Sequence, residues 1–251
     1  MRPWSPIPIA DNREPLIPLP PDLLRLEPHP YQALGAPYGS AAGPFQLRSG
    51  VVERLLQAQE ALQRLEPTWR LAIFDAWRPV AVQRFMVRFT VQQECERLGL
   101  EAAPALALVE SGGVESSGGP GESAHLAVVD TVARFWAPPS EDPATPPPHS
   151  TGGAVDLTLA TAEGIPLEMG GAIDALEAVS EPDHYRDQAA RDPSGAAALW
   201  QGRRDRLQQA MVGAGFARHP QEWWHFSHGD QLWAWQRGEA AACYGRAPEP
   251  C

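Results

Sequence analysis

The sequence predicts an α+β fold, in which a small, mostly antiparallel sheet carries helices packed on one face. Three observations support this. Helix-like and strand-like stretches follow one another irregularly, without the strand–helix–strand rhythm that a parallel sheet needs. Two short apolar runs, 216–218 and 223–227, read as a hairpin-like return, an antiparallel device. A hydrophobic content of 43% over 251 residues supplies one sizeable core.

Taken in order, residues 1–48 are rich in Pro and Gly and keep no sustained period. They read as an extended arm packed over the body, with a short strand near Pro8–Ala10 and no evident chemistry. Val51, Leu55, Ala58, Leu62 and Leu65 recur at helical spacing and predict a helix over 50–65, stopped by Pro67. Leu71–Asp75 reads as a buried strand. Pro79 suits the first turn of the next helix, which runs to about Leu98 with Val82, Phe85, Met86 and Phe89 on its apolar face and Gly99 closing it. Residues 104–109 read as a strand and 111–121 as a Gly/Ser-rich loop; His125–Val132 reads as a strand or a helical turn. Six prolines in 137–148 lead into Ala154–Leu159, which alternates like a strand with one buried face. Residues 180–192 read as a polar surface loop. Asp192-Pro193 then starts a helix to about Gly213, with Leu199, Leu207, Ala210 and Met211 inward. Residues 229–251 lose periodicity. The implied division is an arm (1–48), a body (49–230) and a tail (231–251).

Composition narrows the function. The 20 basic and 31 acidic side chains give a formal charge of −11, and no Lys/Arg cluster stands out, which argues against nucleic acid or an anionic membrane as a partner. No run approaches the roughly 20 apolar residues of a membrane span, and residues 1–6 lack an apolar run of signal-peptide length. Cys95, Cys243 and Cys251 are scattered and odd in number, so they form no disulfide framework. Together these features point to a cytoplasmic protein. Oligomeric state is not legible.

Two stretches hold most of the chemistry. Residues 146–158 read Pro-Pro-Pro-His-Ser-Thr-Gly-Gly-Ala-Val-Asp-Leu-Thr, and 221–228 read Gln-Glu-Trp-Trp-His-Phe-Ser-His. His149, Asp156 and His225 could form a three-ligand set with an open fourth position, the pattern of a catalytic zinc, the alternative for 149–156 being a polar turn entering a strand. Glu222 beside them is the candidate general base. His149 and Asp156 are seven apart. A straight strand would put them on opposite faces, and a helix would separate them by about 10 Å along its axis. The chain must therefore turn between them, and Gly152 and Gly153 supply the turn. Beyond it, Val155, Leu157 and Leu159 point one way, and Asp156 and Thr158 point toward the metal. His29, His125, His184, His219 and His228 read as core or surface histidines.

These stretches resemble the D-alanyl-D-alanine dipeptidases, the VanX-like zinc peptidases, which carry S-x-H-x-x-G-x-A-x-D and E-x-W-H. The matching positions are His149, Gly152, Ala154, Asp156, Glu222, Trp224 and His225. DAWRPV at 75–80 and MGGAID at 169–174 extend the resemblance over roughly 70–230. Pro147 departs from it, standing where the family has Ser. The resemblance implies a hedgehog/dipeptidase-like fold with the zinc on the open face of the sheet, so that residues 49–230 form a zinc peptidase domain. It implies one zinc per chain, held by His149, Asp156 and His225, with Glu222 as base. It further implies that Arg78 stabilises the tetrahedral intermediate and that Asp174 binds the substrate ammonium. The expected substrate is the dipeptide D-alanyl-D-alanine. The alternatives are a D,D- or L,D-carboxypeptidase acting on cell-wall peptides, and a non-catalytic, hedgehog-like zinc module.

Overall fold

The computed structural model describes residues 2–39, 43–111 and 120–248. The chain begins with strands β1 (Leu16–Pro18) and β2 (Leu24–Arg25), the short helix α1 (Pro30–Ala33) and strand β3 (Gln46–Arg48). Helix α2 (Ser49–Leu65), strand β4 (Trp69–Asp75) and helix α3 (Val80–Arg97) follow, then α4 (Ala102–Glu110) and α5 (Pro120–Phe135). A 3₁₀ turn (Pro148–Thr151) leads into β5 (Ala154–Thr161). Helices α6 (Arg186–Arg191) and α7 (Ala196–Gly213), strands β6 (Ala217–Arg218) and β7 (His225–Ser227), and helix α8 (Gln231–Arg237) complete the order.

The main sheet has five strands in the order β2-β4-β5-β7-β6. Only the β2–β4 pair is parallel; the other three are antiparallel. The expected α+β class with a mostly antiparallel sheet is therefore what the chain adopts. One face carries the larger core. Leu71 and Ile73 of β4 and Val155, Leu157 and Leu159 of β5 pack there with Leu55 and Leu62 of α2 and Leu207 and Met211 of α7. The helices α3, α4 and α5 gather into a second cluster that includes Tyr31 and Trp136 and reaches the sheet through Phe74. Between the two clusters the strands present Asp156 and its neighbours to a buried pocket.

Several elements differ from expectation. Residues 104–109 are helical. The alternation of Ala and Leu there imitates a strand, but Ala is the strongest helix former, and Ala102, Ala105, Leu106 and Val109 share the helical face that meets the second cluster. His125–Val132 lies within α5, and most of the loop expected at 111–121 is outside the described residues. Leu65 and Leu199 stay on helical stretches but are exposed, at 46% and 51%. The region 180–192 includes α6, and α7 begins three residues after Pro193. Pro79 precedes α3 as its cap residue. Residues 231–237 form α8, whose cap Asp230 accepts a hydrogen bond from the Trp233 amide.

The N-terminal segment is tied into the body. Ile9 bridges Ala242, and β2 forms an edge of the main sheet. The buried Arg48 side chain donates to the carbonyl of Thr151 at 2.8 Å, and its amide donates to Gly152 O at 3.0 Å. These bonds brace the turn between His149 and Asp156.

Candidate metal centre and active site

Strand register builds the centre. Asp156 lies in the middle strand and pairs directly with Asp75 of β4 on one side and His225 of β7 on the other. A register shift between Ile73 and Asp75 is essential to this row. In its absence Asp75 would share the core-facing side of Leu71 and Ile73. His149 arrives from the 3₁₀ turn. Gly152 closes that turn at φ +71°, and a Cβ there would press on the Leu16 side chain. The turn inferred from Gly152 and Gly153 is thus present, and the positive φ at Gly152 favours glycine.

The hydrogen bonds fix which ring nitrogens face inward. His149 Nδ1 lies 2.7 Å from the carbonyl of Ala76, which can only accept, so Nδ1 carries the proton and Nε2 keeps its lone pair. Ser227 donates its hydroxyl proton to Asp230 Oδ2 at 2.7 Å. Its oxygen therefore accepts from His225 Nε2 at 3.2 Å, leaving the Nδ1 lone pair of His225 free. His149 Nε2 and His225 Nδ1 are 3.2 Å apart. Asp156 reaches the first at 3.2 Å and the second at 3.0 Å. Three lone-pair donors converge with no proton between the two nitrogens. Their separations approach the edge of about 3.3 Å set by ligand bonds near 2 Å around a tetrahedral ion. These three buried residues could hold a metal ion.

Burial raises the Asp156 carboxyl, whereas His149 and His225, when protonated in the metal-free site, outweigh this and lower it well below the usual carboxylate range. Glu222 shows the opposite balance. Burial, then the Asp156 charge, push it well above that range. Glu222 Oε2 is 3.7 Å from His225 Nδ1, and its Oε1 is buried without a hydrogen-bond partner.

Arg78 is locked in place. Its Nε donates to Asp75 Oδ2 at 2.8 Å and its Nη1 to Gln83 at 2.9 Å. Its Nη2 meets Asp75 Oδ2 at 2.7 Å and Asp156 Oδ2 at 3.3 Å. Three of its five N–H groups make hydrogen bonds, leaving one on each terminal nitrogen. Burial lowers its pKa, but Asp75 more than compensates and keeps the guanidinium charged. Asp174 lines the same pocket. It adopts φ +65°, an uncommon backbone state for a non-glycine residue. Tyr31 donates its hydroxyl to Asp174 Oδ2 at 2.6 Å. Burial, then the Asp156 charge, push the Asp174 carboxyl up to about 7.

The structure brings together all six residues singled out from the sequence: Arg78, His149, Asp156, Asp174, Glu222 and His225. It adds others. Asp75 is a hub that also accepts from Tyr38 at 2.9 Å and contacts His29 at 3.1 Å. His219 is buried in the pocket wall with its Nδ1 3.7 Å from Glu222 Oε1. Arg2 lines the pocket as well. The only sequence hint of this shell was Asp75, three residues before Arg78; the rest comes from distant segments. His228 faces Trp233 and Tyr244 instead, and Pro147 lines an adjoining cavity with Arg2 and Pro148.

A sheet bearing a buried His-Asp-His centre, with a free carboxylate oxygen beside it, defines a metallopeptidase-like class of site. A family model described as D-ala-D-ala dipeptidase, Peptidase M15, matches residues 122–242. A protein from Synechocystis sp. named D-alanyl-D-alanine dipeptidase is 42% identical over 255 residues, covering 98% of this chain and 97% of the relative. The chain belongs to the M15 peptidase family of D-ala-D-ala dipeptidases. Among the described residues no helix is long and apolar enough to cross a membrane.

Proposed function

We propose that this chain is a zinc dipeptidase that hydrolyses D-alanyl-D-alanine, with Glu222 as general base. The observation that carries the reading is the convergence of three metal-ready donors in a pocket where Glu222 Oε1 is buried without a partner. Two imidazole nitrogens and a carboxylate oxygen are a donor set suited to zinc. His149, Asp156 and His225 would hold the ion, one per chain. When bound, zinc supplies Lewis acidity, lowering the pKa of a water and polarising the scissile carbonyl.

The other roles belong to the chain. Glu222 Oε1 accepts a hydrogen bond from the attacking water, takes its proton, and delivers it to the departing amine nitrogen. An N–H of Arg78 not used in these bonds would stabilise the negative charge that develops on the carbonyl oxygen. Asp75 and Gln83 hold the guanidinium still, so little reorganisation is needed. Asp174 binds the free ammonium of the dipeptide through a charge-assisted hydrogen bond. Cys95 and Cys243 are both free thiols, in keeping with a cytoplasmic site of action.

Kinetics with the purified, zinc-loaded chain test this reading. D-Alanyl-D-alanine should be cleaved, L-alanyl-L-alanine little, and N-acetyl-D-alanyl-D-alanine not at all. Efficient cleavage of the acetylated dipeptide, or of a pentapeptide ending in D-alanyl-D-alanine, would replace the dipeptidase by a carboxypeptidase. A zinc-loaded chain that cleaves none of them would point to the non-catalytic module.

A further inference from the structure

The pocket is rich in negative charge. Asp156, Asp174 and Glu222 all line it, and only two arginines balance them there. Arg78 is committed to Asp75, Asp156 and Gln83. Arg2 is different. Among the described residues its guanidinium makes one hydrogen bond, from Nη2 to the Ala133 carbonyl at a long 3.4 Å. Among the described residues no carboxylate comes within ion-pair distance of it.

Its placement is nevertheless defined. The guanidinium lies over the Trp4 ring, 5.5 Å from the centroid. Trp4 meets His219 edge to face at 5.7 Å, and His219 adjoins Glu222. The start of the chain is therefore stacked against the wall that carries the general base. Burial lowers the Arg2 pKa, and the Glu222 charge offsets this only in part. Arg2 is half-buried, and a partly desolvated cation without an anion can take one that arrives with a ligand.

Asp174 is its counterpart. It is half-buried, and among the described residues no cation lies within ion-pair distance of it; Tyr31 is its hydrogen-bond partner. One pocket thus holds an unpaired cation and an unpaired carboxyl around the metal-ready donors. A free dipeptide is a zwitterion whose two ends carry the complementary charges.

We propose that Arg2 binds the terminal carboxylate of the substrate, through the planar fork that guanidinium offers to a carboxylate. The assignment rests on the dipeptidase reading above and supplies the residue that reading lacks for the second end of the substrate. The structural alternative is a tether that fastens the arm to the last turn of α5 through Ala133.

The two roles separate when the substrate carboxylate is removed. The full chain, its Arg2→Gln variant and its Arg2→Met variant, all zinc-loaded, are assayed with D-alanyl-D-alanine and with its C-terminal carboxamide. Arg2→Met keeps an apolar stem over Trp4 and serves if Arg2→Gln fails to fold, as judged by circular dichroism melting. In the parent the acid should be preferred over the amide. In either variant the ratio of kcat/KM for acid to amide should fall by at least about tenfold, mainly through KM for the acid, as expected when a hydrogen-bonded charge pair is lost. A smaller fall, with both substrates weakened together, makes Arg2 a tether and overturns the assignment while leaving the dipeptidase intact. A parent that cleaves neither compound removes the proposed function and this assignment with it.

Discussion

The pocket has two walls, and they are built differently. The wall formed by β4, β5, β7 and the 3₁₀ turn is saturated with internal bonds. His149 is fixed by Ala76, His225 by Ser227 and Asp230, and Arg78 by Asp75 and Gln83. The wall formed by the N-terminal segment and the 170s loop holds charges with few partners, Arg2 and Asp174. A reacting centre gains from groups that need not move as charge develops. A recognition surface gains from groups whose partner is the ligand. On the proposed reading, the contrast teaches that unsatisfied polarity, not conspicuous sequence, marks where the substrate would be read.

The largest effect is expected from breaking the saturated wall at its middle. Asp156→Ala removes a metal ligand and the cross-strand partner of both Asp75 and His225. Metal analysis after dialysis should find the variant essentially empty, and turnover should vanish. Retention of about one zinc per chain would show that the row is not the centre.

A smaller effect, and a sharper one, is expected at Glu222. Glu222→Gln should keep its metal and lose about 10²–10⁴-fold in kcat, the usual worth of general acid–base catalysis. If the metal is lost as well, Glu222 belongs among the ligands.

The smallest effect probes the unsatisfied wall through stability. Asp174 has a folded-state pKa of about 7, raised from a usual 3.8 by burial and by Asp156. A carboxyl raised in this way contributes stability that is full below the unfolded value and is lost as pH rises through the folded one. Asp174→Asn keeps an acceptor for the Tyr31 hydroxyl but removes the charge. Metal-depleted parent and variant should therefore melt together near pH 4, and the variant should be more stable at pH 8, by roughly 1 kcal/mol or more. A variant that is less stable than the parent at pH 8 would mean that Asp174 already has a compensating partner. The same substitution should raise KM for the dipeptide, so that stability is gained where binding is lost.

Much of the first wall was legible in the sequence because its signals are local. Two glycines announced the turn after His149, and the alternation of Val155, Leu157 and Leu159 placed Asp156 on the opposite face. The short spacing of Glu222 and His225 kept those two together. The α2 helix and β4 were equally plain from their periods. Local pattern misled where it was ambiguous. Residues 104–109 alternate like a strand yet form a helix, because an Ala-rich segment fits either period and tertiary packing chose.

By itself, then, the sequence determined the α+β class, the turn that lets His149 and Asp156 meet, and the residues of the candidate centre. Tertiary structure alone decided the row Asp75–Asp156–His225, because pairing register and the shift between Ile73 and Asp75 depend on contacts between distant strands. It also decided that Tyr31 would meet Asp174 across 143 positions, and that Arg2 would reach the pocket at all. The N-terminal segment has no period of its own, so nothing local says where its side chains go. Their positions follow from the surfaces that β2, Arg48 and Trp4 find on the finished body.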